Sequence, residues 1–177
     1  MSMLGYLLDR MQGYVPYESV EEPEVAQLSI SKKIKLFTNY IDDNALLVNC
    51  NPEEIKQVLI HMLLNAKDAL ENSQKKEMHV TFECKTRLMC EECDHCESTA
   101  TQVIHLIVED SGCGISKKAM KRIYDPFFST KEVGQGKGLG LSMAKGVVES
   151  HGGVIHITST EKVGTKVSIC LPLVVCP

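Results

Sequence analysis

The stretch Gly134-Gln-Gly-Lys-Gly-Leu-Gly-Leu-Ser142 carries four of the chain's 12 glycines at every second position, and a helix-forming run to Ser150 follows at once. Such a run lets the backbone bend and approach a bulky ligand with no side chain in the way. A helix starting behind it aims unpaired N–H groups and the positive end of its dipole at that space. Together these features describe an anion site, and nucleotide phosphate is the commonest large anion. Glycine loops also serve as plain turns, so the reading depends on the rest of the chain.

At 177 residues the chain fits one domain, and 44% hydrophobic with 24% charged residues is the balance of a folded globular protein. A net charge of −4 argues against nucleic acid as a partner, because such a binder needs a basic face. No apolar run reaches the roughly 20 residues of a membrane span, and the start of the chain has no signal-peptide pattern. The expectation is a cytoplasmic domain without membrane contact, compatible with a membrane anchor elsewhere in an intact protein.

Met3, Leu4, Leu7, Leu8 and Met11 space out a short amphipathic helix, followed by an acidic linker. Residues 1–20 are thus expected to be either a helix docked on its own domain or the tail of an upstream hairpin. Residues 21–177 form the domain proper. Strands are expected at 33–41, 45–49, 77–87, 102–109, 154–159 and 165–171. Asn51-Pro52-Glu53-Glu54 starts a helix running to about 72, and Ile55, Val58, Leu59, Met62, Leu63, Ala66 and Leu70 are its buried stripe. A short helix near 116–124 and one behind the glycine run complete the set. The fold class is α/β (α+β): a two-layer sandwich with a mixed, mainly antiparallel sheet and helices on one face.

Four places could carry chemistry. His61, Asn65 and Asp68 share one face of the 52–72 helix. They serve equally as a polar border or as oxygen ligands for Mg²⁺, which keeps most of its waters. Asp110-Ser-Gly-Cys-Gly-Ile-Ser116 puts a carboxylate at a strand end, where it could accept from an amine or simply open a turn. Asp125-Pro-Phe-Phe-Ser-Thr-Lys131 joins two aromatics to a lysine, and Lys131 and Lys137 could neutralise phosphate or be plain surface charge. Cys90, Cys93 and Cys96, in a hairpin insert at 88–101, have the spacing of a soft-metal site for Zn²⁺ or iron but lack an obvious fourth ligand. Reduced, exposed thiols explain them as well.

Taken in order, these segments resemble the motifs of the GHKL ATP-binding superfamily. His61-Met-Leu-Leu-Asn-Ala-Lys-Asp-Ala69 resembles its N box and Asp110-Ser-Gly-Cys-Gly-Ile115 its first glycine box. Asp125-Pro-Phe-Phe-Ser-Thr-Lys131 is similar to its F box, and Gly136-Lys-Gly-Leu-Gly-Leu141 to its second glycine box. With Val148-Glu-Ser-His-Gly-Gly153 and Gly164-Thr165, the likeness extends over roughly residues 30–173. It is closest to the catalytic ATP-binding domain of sensor histidine kinases of the nitrogen-regulator type.

The resemblance implies a Bergerat fold, ATP with Mg²⁺, and transfer of the γ-phosphoryl group to a histidine on a separate dimerisation domain. From there the phosphoryl group would pass to a response regulator receiver domain. It implies that Asn65 ligates Mg²⁺, Asp110 binds the adenine amine, Gly112 and Gly114 pass close to the base, and Thr165 supports it. Gly136, Gly138, Leu139 and Gly140, with Lys137, would face the phosphates. Asp68 belongs to the same nucleotide site, while His61 and Lys131 are the candidates for catalytic roles. Two positions depart from the pattern: His61 stands where Asn is usual, and Lys137 where Thr is usual. No histidine precedes His61, so the acceptor lies outside this chain. The other readings are an ATP-driven conformational protein of the chaperone or mismatch-repair class, which would need Glu near position 61, and a non-catalytic module for sensing or protein contact. A serine kinase of the anti-sigma type shares the fold but typically lacks the F box.

Overall fold

The computed structural model describes residues 34–40, 50–71, 73–86, 102–131 and 137–173. The expected helix at 3–11, the strand at 45–49, Gly134, Gly136 and the hairpin bearing Cys90, Cys93 and Cys96 lie outside the described residues.

Five strands form one sheet: β1 (Lys35–Tyr40), β2 (Glu77–Thr86), β3 (Gln102–Asp110), β4 (Val154–Thr160) and β5 (Gly164–Pro172). Their order is β1-β2-β3-β5-β4, with β1 parallel to β2 and every other neighbour antiparallel. The mixed sheet is therefore the one expected. Helix α1 (Pro52–Leu70) lies between β1 and β2 in the chain, α2 (Lys117–Met120) follows β3, and α3 (Gly140–Ser150) precedes β4. The second helix is a single turn rather than the nine residues expected, because turns take over from Lys121.

The core forms where α1 and α3 cover one face of the sheet. The helix stripe from Ile55 to Leu70 is buried as its spacing predicts, together with Ala144 and Val148 of α3. Against it stand every second residue of the strands: Met78 and Val80, then Ile104, Leu106 and Val108, then Ile169 and Leu171. Alternation along each strand is the cause, since successive side chains point to opposite faces. Strand β3 is central, and Val103 and His105 on its other face are buried too. This explains why its sequence reads as a continuous apolar run rather than an alternating one.

The two long helices are tied together at one end. The backbone N–H of Asn51 donates to Nε2 of His151, which closes α3, at 2.9 Å. The other ring nitrogen, Nδ1, then carries the proton and donates to the Val147 carbonyl at 2.7 Å. With the start of α1 fixed to the end of α3, the start of α3 falls beside the middle of α1.

Candidate nucleotide site

The antiparallel register gathers four residues into one row across the sheet. Met78 pairs with Asp110, Asp110 with Thr165, and Thr165 with Ser159. All four face the helices, because they continue the buried alternation of their strands. Asp110 is only 8% exposed. Its Oδ1 accepts from the Gly112 N–H at 2.8 Å. Burial pushes its carboxyl pKa up to about 6, opposed by hydrogen bonds from the backbone of Gly112 and Thr165. A buried carboxylate that still has lone pairs to spare fits an amine donor.

The loop after Asp110 is clamped from two sides. The Cys113 N–H donates to the Ala69 carbonyl at the end of α1 at 3.1 Å, and the Lys162 N–H donates to the Cys113 carbonyl at 2.7 Å. Gly114 has φ of 64°, and a Cβ there would lie 2.1 Å from the Thr160 carbonyl oxygen. Glycine at 114 is therefore demanded by the protein's own packing, whatever ligand passes nearby.

The polar face of α1 is bracketed by two other parts of the chain. The His61 ring stands over Gly140 at the start of α3, where an added Cβ would be 3.6 Å from Nδ1. Two turns further on, Asp68 forms an ion pair with Lys131 at the end of the F box segment. Half-buried Asn65 lies between these fixed points. Lys131 is thus held by a carboxylate from α1, whereas Lys137 is exposed.

Helix α3 begins with no side-chain cap from Leu139, and its first helical hydrogen bond is Met143 N–H to the Leu139 carbonyl at 2.9 Å. The N–H groups of Gly140, Leu141 and Ser142 precede that bond, the arrangement that suits an anion. Gly138 has φ of 67°, and a Cβ there would lie 2.4 Å from the Phe127 carbonyl carbon. The second glycine box is thereby seated directly against the F box backbone. Within that box Phe128 is half-buried under the Arg122 guanidinium, 4.6 Å from its ring centre, and Arg122 also pairs with Asp125 at 3.0 Å. Phe127 is 77% exposed. One phenylalanine anchors the segment and the other faces solvent.

The structure pairs Asp110 with Thr165 across the sheet and sets His61 over Gly140, residues that the resemblance read from the sequence assigns to one site. Sequence reasoning missed the Asp68–Lys131 pair, which spans 63 positions, and it missed Ser159. The period-two burial of Ile155 and Ile157 would have pointed to Ser159 as the next inward position of β4. Among the described residues no group of three His, Cys, Asp or Glu side chains could hold a metal ion. A cation here would have to rely on Asn65, phosphate oxygens and water, which suits Mg²⁺. No described helix is long and apolar enough to cross a membrane.

Residues 50–175 match the family described as histidine kinase-, DNA gyrase B- and HSP90-like ATPase. Sporulation kinase A of Bacillus subtilis is 32% identical over 135 residues, covering 76% of this chain and 19% of that protein. The sensor histidine kinase ZraS of Salmonella typhi is 32% identical over 151 residues, covering 85% of this chain and 28% of that one. The solved catalytic domain of the histidine kinase ThkA superposes with a TM-score of 0.58 at 29% identity, covering 79% of each chain. The chain thus spans less than a third of the length of these curated relatives.

Proposed function

Because the chain belongs to the histidine kinase-, DNA gyrase B- and HSP90-like ATPase family, we propose that it is the ATP–Mg²⁺-binding catalytic module of a two-component sensor histidine kinase. The observation that carries this reading is the arrangement of groups along α1. The buried acceptor Asp110 lies at one end and an uncapped, glycine-led helix start at the other, with Asn65 between. The length of that arrangement along α1, from His61 to Ala69, suits a base at the Asp110 end and phosphates at the Gly140 end. The names of the relatives, a sporulation kinase and a sensor histidine kinase, favour this branch over the chaperone-like one. So does His61 at the position where that branch needs Glu.

ATP would supply the γ-phosphoryl group, and Asn65 would hold a Mg²⁺ ion whose charge would offset that of the phosphates. The chain's own part is positioning, because phosphoryl transfer has a loose transition state that asks for little covalent help. Asp110 accepts from the base, the N–H groups of Gly140 to Ser142 orient the phosphates, and His61 lies beside that start of α3. Lys137 adds positive charge at the same end. Lys131, held by Asp68, fixes the F box to α1 rather than meeting phosphate directly. The nucleophile is a histidine ring nitrogen of a separate dimerisation domain. It forms the N–P bond as the bond from γ-phosphorus to the bridging oxygen breaks and ADP leaves. A receiver domain of a response regulator is the next acceptor.

The test mixes the chain with a purified dimerisation hairpin of a related kinase and γ-labelled ATP. Acid-labile, base-stable label on the hairpin is expected. Tight ATP binding without transfer to any of several hairpins would overturn the kinase reading in favour of a binding module. Asn65→Ala is expected to remove the Mg²⁺ dependence of ATP affinity, measured by calorimetry with and without Mg²⁺. An unchanged dependence would contradict the role of Asn65.

A further inference from the structure

His151 is largely buried at the end of α3, with 11% of its side chain exposed, and both ring nitrogens are engaged. The Asn51 backbone N–H can only donate, so Nε2, 2.9 Å away, must offer a bare lone pair. The Val147 carbonyl can only accept, so Nδ1, 2.7 Å away, must hold the proton. Ser150 Oγ, 3.3 Å from Nδ1, gives its own proton to that same carbonyl at 2.8 Å and leaves the Nδ1 proton in place. These contacts define one neutral tautomer.

A second proton can enter the ring only at Nε2. There it faces the Asn51 N–H, proton against proton, and that hydrogen bond is lost. The carboxylate within reach is Glu54 of α1, whose Oε2 lies 3.8 Å from Nε2 and whose Oε1 accepts from the Asn51 side chain at 3.2 Å. Of the other acids on these two helix ends, Glu53 pairs with Lys56 at 3.5 Å and Glu149 with Lys145 at 3.6 Å. Burial pushes the Cys50 thiol up, which keeps it neutral beside Asn51. Next to Gly152 the sheet brings Pro172, which does not titrate. A protonated ring therefore exchanges a backbone partner for Glu54, which it meets only by leaving Asn51.

The place of this tie gives it leverage. The end of α3 meets the start of α1, and Gly140 at the start of α3 meets His61. The two helices thus run antiparallel, and the two contacts are about ten residues apart along each, or about 15 Å of helix. A contact at one end sets how far α3 is slid along α1, and so where its open amides lie relative to Asn65.

We propose that His151 is a positioning residue whose neutral ring sets the register of α3 against α1, and whose protonation releases that register and weakens binding at the open start of α3. This rests on the nucleotide reading above and adds regulation to it: the grip on phosphate falls on acidification.

The experiment first reads the tie without nucleotide, in the ¹⁵N-labelled 177-residue chain. At about pH 7.5 a scalar coupling between the Asn51 amide nitrogen and His151 Nε2 is expected, the signature of an N–H···N bond. It is expected to vanish by about pH 5 as the ring takes up a proton, across the span in which imidazoles ordinarily titrate. Absence of the coupling at the higher pH, or a ring that stays neutral throughout, would overturn the proposal whether or not ATP binds. ATP–Mg²⁺ affinity is then measured by calorimetry at both pH values in the wild type and in His151→Gln, whose side-chain oxygen accepts from Asn51 but takes up no proton. Asp110 and the nucleotide titrate in both proteins, so the difference between the two profiles belongs to His151. On acidification the wild type is expected to lose about three-fold or more in affinity relative to His151→Gln, on the order of one hydrogen bond. His151→Leu, which accepts nothing, is expected to bind weakly at both pH values. Should it not fold, the comparison with His151→Gln decides alone. Parallel profiles in the wild type and His151→Gln would overturn the proposal and leave His151 as a staple of the fold. A chain that shows the coupling but binds no ATP overturns the nucleotide reading, and with it the claim on phosphate.

Discussion

Helices α1 and α3 begin in opposite ways. At α1 the terminus is capped. The Asn51 side chain accepts from the Glu53 N–H at 3.1 Å and donates to Glu54 at 3.2 Å, while its backbone N–H is taken by His151. Pro52 has no N–H to satisfy, and Glu53 and Glu54 oppose the helix dipole. At α3 the residue before the helix is Leu139, which supplies no cap, and the first turn has no acidic residue. The first terminus is built for stability and is closed to ligands. The second forgoes stabilisation that one capping residue would supply, about 1 kcal/mol, and keeps its amides open. Local energetics thus separate a capped helix start from an open one within a single pair of packed helices.

The strongest way to break this contrast is to close the open end. Gly140→Asp places a carboxylate in the first turn of α3, and ATP affinity is expected to fall on the order of a hundred-fold or more through repulsion of the phosphates. The same change is expected to raise stability by about 0.5–1 kcal/mol in denaturant titrations, because Asp suits that turn better than Gly. Loss of both stability and binding would mean that the α3 start is not a spare anion site.

Next in size is Asp110→Asn. The asparagine oxygen still accepts from Gly112, but the amide turns N–H groups toward the base. ATP affinity is expected to drop by roughly ten- to a hundred-fold. Stability is expected to move the other way. The folded pKa of Asp110, about 6, lies above its ordinary value of 3.8. Between these values the folded protein keeps a proton that the unfolded chain has released, so stability falls as pH rises through that window. Above it the burial of charge costs in full, and the Asn variant should melt higher at neutral pH by a few degrees. That advantage should vanish as pH falls below the ordinary carboxyl range.

At the closed end, Asn51→Ala removes the cap and is expected to cost about 1 kcal/mol with ATP affinity unchanged, as read by denaturant titration and calorimetry. A matching loss of affinity would join the two termini into one functional unit. The smallest effect belongs to the exposed Asp68–Lys131 pair. A double-mutant cycle with Asp68→Ala and Lys131→Ala is expected to give a coupling of about 0.5 kcal/mol in stability. Lys131→Ala alone should weaken ATP only slightly, because its charge is already met by Asp68.

Much of this was legible in the sequence because it rests on local rules. The α1 cap, its buried stripe and the alternation of Met78 and Val80 follow from spacing within a few residues. The boxes at His61, Asp110, Asp125 and Gly136 follow from their resemblance to known motifs. What spacing cannot reach depends on register between distant segments. Ser159 joins Thr165 only because the β4–β5 turn pairs Thr160 with Gly164. Lys131 finds Asp68 only because the F box folds back on α1. Likewise the burial of His105 on the second face of β3 follows from β3 being the central strand, a matter of sheet order rather than of spacing.

The contrast between the two helix starts is tested most directly by following backbone amides in a ¹⁵N-labelled chain while ATP and Mg²⁺ are added. The expected result is saturable shifts at Gly138, Gly140, Leu141 and Ser142, and at Gly112 beside Asp110, with Glu53 and Glu54 unmoved. Shifts confined to the start of α1, or absent from the start of α3 while ATP binds, would contradict it.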